Sequence, residues 1–273
     1  MSVNAAGPSE SPAGLLAELW YAEPPRLTDP DLVTALRRAW PGTEVQASSL
    51  TVPHDDALES DDERVAPPLL TVVVEGSPVG HSGKTLPDVS QTWDWAEAEE
   101  VVAGARYSLL VNEMLAADAP AADRVAALTE VVAELARATG PLAISWPHSQ
   151  RVSDPRAWVA DDLDGVVNVR LFQVAGEPGT LVMDTLGLHV FGLPDLQCHF
   201  RGREPGEIAT LLYSTAVYVF DSGDVIADGN TISGPDGEGR FTCHHEPALL
   251  EPRRVVLDID LGDPHAAGER DRD

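Results

Sequence analysis

Apolar and polar positions alternate along this chain with two periods, and the period predicts the element. Leu15 to Tyr21 is a compact apolar run and reads as a first strand. Asp29-Pro30-Asp31 then opens a helix, with Asp29 as cap, Pro30 at the first position and Asp31 in the first turn. Leu32, Leu36, Ala39 and Trp40 form its apolar stripe, Arg37 and Arg38 suit its negative C-terminal end, and Pro41-Gly42 stops it. Val45 to Val52 reads as one strand. Leu69 to Val74, continuously apolar and β-branched, reads as a strand buried on both faces. A helix over Trp95 to Ala103 and a strand over Arg106 to Asn112 follow. The clearest helix runs from Pro120 to Ala138, with Val125, Leu128, Val132 and Leu135 on one face and Gly140-Pro141 behind it; Leu142 to Trp146 is then a short strand.

The remaining segments repeat this vocabulary. Val167, Val169 and Leu171 alternate with Asn168 and Arg170, a strand period. Glu177-Pro178-Gly179 turns into a strand near Leu181, and Leu196 to Phe200 continues the sheet. Pro205 starts a helix whose inner face is Ile208, Leu211, Leu212, Thr215, Ala216 and Val219, and Ser222-Gly223 breaks it. Phe241 to His245 and Val255 to Leu261 are the closing strands. Strands and helices interleave without a βαβ repeat, which predicts an α+β fold in two successive halves, with antiparallel or mixed sheets and helices packed on one face. The expected organisation is a disordered start (1–13), an N-terminal α+β half (14–148), a polar join (149–164), a C-terminal α+β half (165–261) and a disordered acidic tail (262–273).

Charge changes the picture most. Asp and Glu number 45 against 18 Lys and Arg, a formal net charge of -27. Nucleic-acid binding draws on counterion release to Lys and Arg, and anionic membranes attract the same residues, so neither is an expected partner. A basic protein partner fits. Lys84 is the single lysine. Two cysteines are too few for a disulfide scaffold. Met1 to Gly14 has neither the basic nor the apolar part of a secretory leader, and Leu211 to Phe220 is too short and polar to span a bilayer. A cytoplasmic protein with reduced thiols is expected.

Three pieces of the second half occur in a suggestive order: Thr185-Leu186-Gly187-Leu188 with Phe191-Gly192-Leu193-Pro194-Asp195-Leu196, then the Pro205–Phe220 helix, then Asp228-Gly229-Asn230-Thr231-Ile232. This order resembles the bacterial family catalogued as domain of unknown function 4261, over residues 142–261. Asp184-Thr185-Leu186-Gly187 stands where that family has Thr-Gly-Leu, and Asn230 where Asp is commoner. The resemblance implies a fold-level grouping and supplies no catalytic residue. Gly187, Gly192 and Gly229 are expected to serve backbone turns, and turn hydrogen bonds to satisfy most of Thr185, Asp195, Asp228, Asn230 and Thr231.

Candidate chemistry is sparse. Gly83-Lys84-Thr85 resembles the end of a phosphate loop, but that loop needs Gly where Pro78 stands, and Pro87 interrupts the helix that should follow. His189, Cys198, His199, Cys243, His244 and His245 cluster in the second half. Strand alternation lets at most Cys243, His245 and one of Cys198 or His199 converge, and their spacing matches no zinc pattern. Core thiols and strand histidines are the expected roles, with no metal and no cofactor. Asp221, Asp224 and Asp228 lack the alternation of a calcium loop, because Val225, Ile226 and Ala227 interrupt it. Trp93-Asp94-Trp95 marks either a contact surface or core packing. No catalytic residue is expected. The sequence points to a non-catalytic protein-binding or accessory module, immunity-like or chaperone-like. The alternatives are a small enzyme with a dispersed site and a small-molecule sensor.

Overall fold

A computed structural model of the chain describes residues 14–54, 69–114, 119–160, 163–234, 237 and 239–268. The expected N-terminal segment 1–13, residues 55–68 and residues 269–273 lie outside the described residues.

The first sheet is built from β1 (Leu16–Tyr21), β2 (Glu44–Val45), β3 (Ser49–His54), β4 (Leu69–Glu75), β5 (Tyr107–Met114), β6 (Ala143–Trp146) and β7 (Arg151–Ser153), in the order β2-β3-β4-β5-β1-β6-β7 with antiparallel pairing throughout. The second is built from β8 (Asn168–Gln173), β9 (Thr180–Leu186), β10 (Asp195–Arg201), β11 (Thr231–Ser233), β12 (Arg240–Pro247) and β13 (Val255–Asp260), in the order β11-β12-β13-β10-β9-β8. It is mixed, because β10 and β13 run parallel. The fold is α+β.

Local signals fix the helices. In α1 (Pro30–Ala39) the Asp29 carboxylate accepts hydrogen bonds from the amides of Asp31 (3.0 Å) and Leu32 (3.3 Å), filling two donors that the first turn leaves open. α3 (Ala121–Thr139) buries Val125, Leu128, Val132 and Leu135, and Gly140 closes it. α4 (Pro205–Ser222) buries all six residues of its expected inner face. α3 covers one face of the first sheet and α1 packs against α3, whereas the short α2 (Ala98–Ala103) joins Trp20, Ala143 and Val152 on the other face. One continuous core runs from Leu19 and Leu109 of the first sheet through Leu128 and Trp146 to Leu196, Leu212 and Leu257 of the second.

Four details differ from the sequence reading. Val45 to Val52 is a hairpin, because Gln46-Ala47-Ser48 turns between β2 and β3. Leu69 to Val74 is buried on one face only: Leu69, Thr71 and Val73 face α3, while Leu70, Val72 and Val74 are half-buried. Residues 149–164, expected to be an irregular join, contribute β7 to the first sheet. Residues 262–268, expected to be a disordered tail, are tied to β10: the Arg201 amide donates to His265, the Ala267 amide donates to His199, and the Arg201 guanidinium reaches the Ala266 carbonyl. Among the described residues no helix is long and apolar enough to cross a membrane.

Candidate functional site

Strand alternation gives the second sheet two unlike faces. Met183, Leu196, Cys198, Phe200, Leu257 and Ile259 join the apolar core that α4 covers. The residues between them are polar, and the register stacks them across neighbouring strands: Arg170 of β8 opposite Asp184 of β9, Asp184 opposite Gln197 of β10, and Gln197 opposite Asp258 of β13. All four are at most 2 % exposed, so this part of the face is not solvated. The β12–β13 connector covers it. The Leu249 amide donates to the Gln197 carbonyl (2.8 Å), Arg170 donates to the Glu251 carbonyl (3.0 Å), and the Gln197 amide donates to Asp258 (3.1 Å).

Arg254, at the end of that connector, completes an alternating chain of charges. Arg170 grips Asp184 bidentately, Nε to Oδ1 at 2.9 Å and Nη2 to Oδ2 at 2.6 Å. Arg254 donates to the same Asp184 Oδ2 (2.6 Å), to Asp195 Oδ2 (2.9 Å) and to the Thr185 carbonyl (2.8 Å). Two guanidinium groups thus neutralise two carboxylates in a space closed to water. Forked geometry of this kind is what makes such a buried cluster tolerable.

Asp195 carries a further group outward. Its Oδ1 accepts from the Leu188 amide (3.0 Å) and from Thr185 Oγ1 (3.2 Å), and its Oδ2 pairs with His189 Nδ1 at 3.0 Å. A carboxylate can only accept, so Nδ1 of His189 carries the hydrogen and Nε2 is the acceptor in the neutral ring. The His189 side chain is 30 % exposed while Asp195 is fully buried. The short 3-10 turn Leu188–Phe191 that holds His189 starts from Gly187, whose φ is 145° and where a Cβ would come within 2.1 Å of the Val166 carbonyl oxygen. Thr185 and Asp195, expected to satisfy a turn, belong instead to this buried network. Leu186 and Leu188 are buried, and Phe191, Leu193 and Ile232 pack half-buried against the core.

The metal-ligand candidates do not converge. Cys198 and Cys243 form no disulfide and lie in the core on β10 and β12, with β13 between them. Burial pushes the Cys243 thiol up to about 11, which leaves it a poor nucleophile and a poor ligand at neutral pH. His199 lies on the other face beside Gly268. His245 lies between two carboxylates, with Nδ1 2.8 Å from Asp228 and Nε2 3.0 Å from Asp224. Burial alone would lower its pKa, but the two hydrogen-bonded aspartates outweigh burial and raise it. Asp228 also accepts from the His245 amide at 2.7 Å, a tie to β12 rather than the turn hydrogen bond expected. Among the described residues no group of three or more His, Cys, Asp or Glu is arranged to hold a metal ion. The phosphate-loop look-alike folds as tight turns, and Lys84 pairs with Glu18 while its ammonium sits 4.8 Å from the centre of the Trp20 ring. Trp95 is buried in the core, whereas Trp93 is exposed.

No curated protein and no solved structure matches the chain. The matched family segment is narrower than the 142–261 expected, and it leaves Arg170 outside. Residues 184–260, which hold Asp184, Asp195, Gln197, Arg254 and Asp258, match the family described as Domain of unknown function (DUF4261).

Proposed function

We propose that the protein is a non-catalytic protein-binding or accessory module of the cytoplasm, immunity-like or chaperone-like, with a basic protein as partner. The carrying observation is where the charge sits. Four buried acids are matched by cations inside the fold: Glu18 by Lys84, Glu113 by Arg124, and Asp184 and Asp195 by Arg170 and Arg254. The net charge of the chain is -27, and described acids such as Glu23, Asp31, Glu99, Glu100, Glu207 and Asp221 are exposed, as are Trp93, Tyr218 and Leu249. An acidic surface speeds encounter with a basic partner and rejects acidic ones, and exposed aromatics supply contact area. Titration calorimetry against a panel of small folded basic proteins at physiological ionic strength tests this. One-to-one complexes of micromolar affinity or tighter are the expected result. Binding that appears only at low salt, without fixed stoichiometry, overturns it.

A second reading, a small enzyme, draws on the Asp195–His189 pair, since a buried carboxylate orienting a part-exposed imidazole is general-base geometry. It is favoured over the first if His189→Gln abolishes a measurable turnover while the melting temperature holds.

A further inference from the structure

The segment from Gln91 to Trp93 reaches from the first half to the open edge of β8 in the second sheet. The Gln91 side-chain amide meets Leu171 as a neighbouring strand would: its carbonyl accepts from the Leu171 amide (2.9 Å) and its NH2 donates to the Leu171 carbonyl (3.4 Å). The Trp93 indole NH donates to the Val169 carbonyl at 3.1 Å. This arrangement protects an edge strand that would otherwise offer unpaired backbone groups. It also holds the Trp93 ring in a fixed orientation while leaving the residue 54 % exposed.

Beside Trp93 lies a groove of about 360 Å³, with Tyr213, Ala209 and Ser214 of α4 as its far wall. Asp94, Arg151 and Asp164 complete its charged lining. Arg151 is committed to Asp94, with Nη1 and Nη2 at 2.6 and 2.5 Å from the two carboxylate oxygens, and it touches Asp164 only at 3.5 Å. One guanidinium therefore serves two carboxylates, and the groove keeps a net negative charge. Burial, with Asp94 adding to it, raises the Asp164 carboxyl pKa despite Arg151, so this carboxylate is short of positive charge.

We propose that this groove is the docking point for the basic partner, and that it takes an arginine side chain whose guanidinium pairs with Asp164 while its stem and plane lie along Trp93 and Tyr213. The assignment rests on the basic-partner reading and gives it a location. Arginine fits better than lysine because a planar, weakly hydrated guanidinium both stacks on an indole and forks onto a carboxylate.

The test uses the full chain and a blocked peptide of alternating arginine and serine, with a lysine–serine peptide as comparison, followed by tryptophan fluorescence and calorimetry. Asp164→Asn and Trp93→Ala are each expected to weaken the arginine peptide about tenfold, the effect of losing a desolvated ion pair or a cation–π contact. Asp221→Asn removes an equal charge from the exposed end of α4 and is expected to leave affinity within about twofold. Melting temperatures identify any variant that fails to fold, and Asp164→Asn keeps the shape of the groove if Trp93→Ala disturbs it. Equal losses from Asp164→Asn and Asp221→Asn overturn the proposal, since binding would then read diffuse charge. Equal affinity for the lysine peptide overturns the arginine assignment. If basic proteins bind and none of these substitutions matters, the groove is wrong and the basic-partner reading stands. If neither peptide nor protein binds, both fall.

Discussion

Replacing Asp184 by Asn tests whether the buried charge chain of the second sheet holds the fold together or serves a ligand. The side chain keeps its shape and loses its charge. In the native protein it accepts two bonds from Arg170, at 2.9 and 2.6 Å, and one from Arg254 at 2.6 Å, with no exposed surface of its own. An asparagine presents one oxygen and one NH2 group, so at least one guanidinium NH would face another donor, and Asp195 alone would remain against two cations. Each bond to a charged group is worth about 1.5–3 kcal/mol. The three do not add, because the arginines relax toward Asp195, Gln150 and the Glu251 carbonyl. The net cost is therefore that of breaking one buried ion pair, about 3–5 kcal/mol. At ~2–4 °C per kcal/mol for a domain near this size, the melting temperature falls by about 6–20 °C. Urea unfolding followed by fluorescence of the six tryptophans gives the free energy directly. Removing the charges together, as Asp184→Leu with Arg170→Met, is expected to cost less than Asp184→Asn alone, since no uncompensated cation is left beside a missing partner. A loss below about 1 kcal/mol for Asp184→Asn would refute the structural role. A stable variant that had also lost an activity would move the cluster into the functional site.

Three further outcomes follow from single residues. The pKa of His245 is raised above 6.5 in the folded state, so its contribution to stability is complete below the unfolded value and is lost as pH rises through the folded one; His245→Gln should flatten the fall of the urea midpoint as pH rises from about 6.5. His148 behaves oppositely: burial depresses its pKa to about 4, so acid destabilises the fold between about 6.5 and about 4, and a neutral replacement that folds should remove that part of the slope. Gly229 holds φ at 79° with open space around it, so Gly229→Val meets no clash and costs only the left-handed backbone, about 1–2 kcal/mol; a thermal melt unchanged from the parent would contradict this.

The elements were legible in the sequence because their causes are local. Asp29 caps α1 through amides two and three residues away, and the inner face of α4 follows from a 3.6-residue period that any helix imposes. Alternation says that a strand has two unlike faces, and it says no more than that. Asn168 and Arg170 in β8 alternate with apolar residues, as do Asp258 and Asp260 in β13, and in antiparallel sheets such alternation commonly sets the polar positions in water. Whether water or protein lies over such a face depends on chain that arrives from elsewhere. Here it is the connector ending in Arg254, seventy residues from Asp184. Acidic and basic residues at matching positions on adjacent strands were the available signal, but it becomes visible only once register sets Arg170 against Asp184. The groove is of the same kind: Trp93 and Val169 stand 76 residues apart, and only the packing of the two sheets brings an exposed indole, a shared arginine and the helix α4 to one place. Local backbone preference wrote the elements, whereas burial, and with it the meaning of each charge, was decided by contacts between residues that no short-range rule connects.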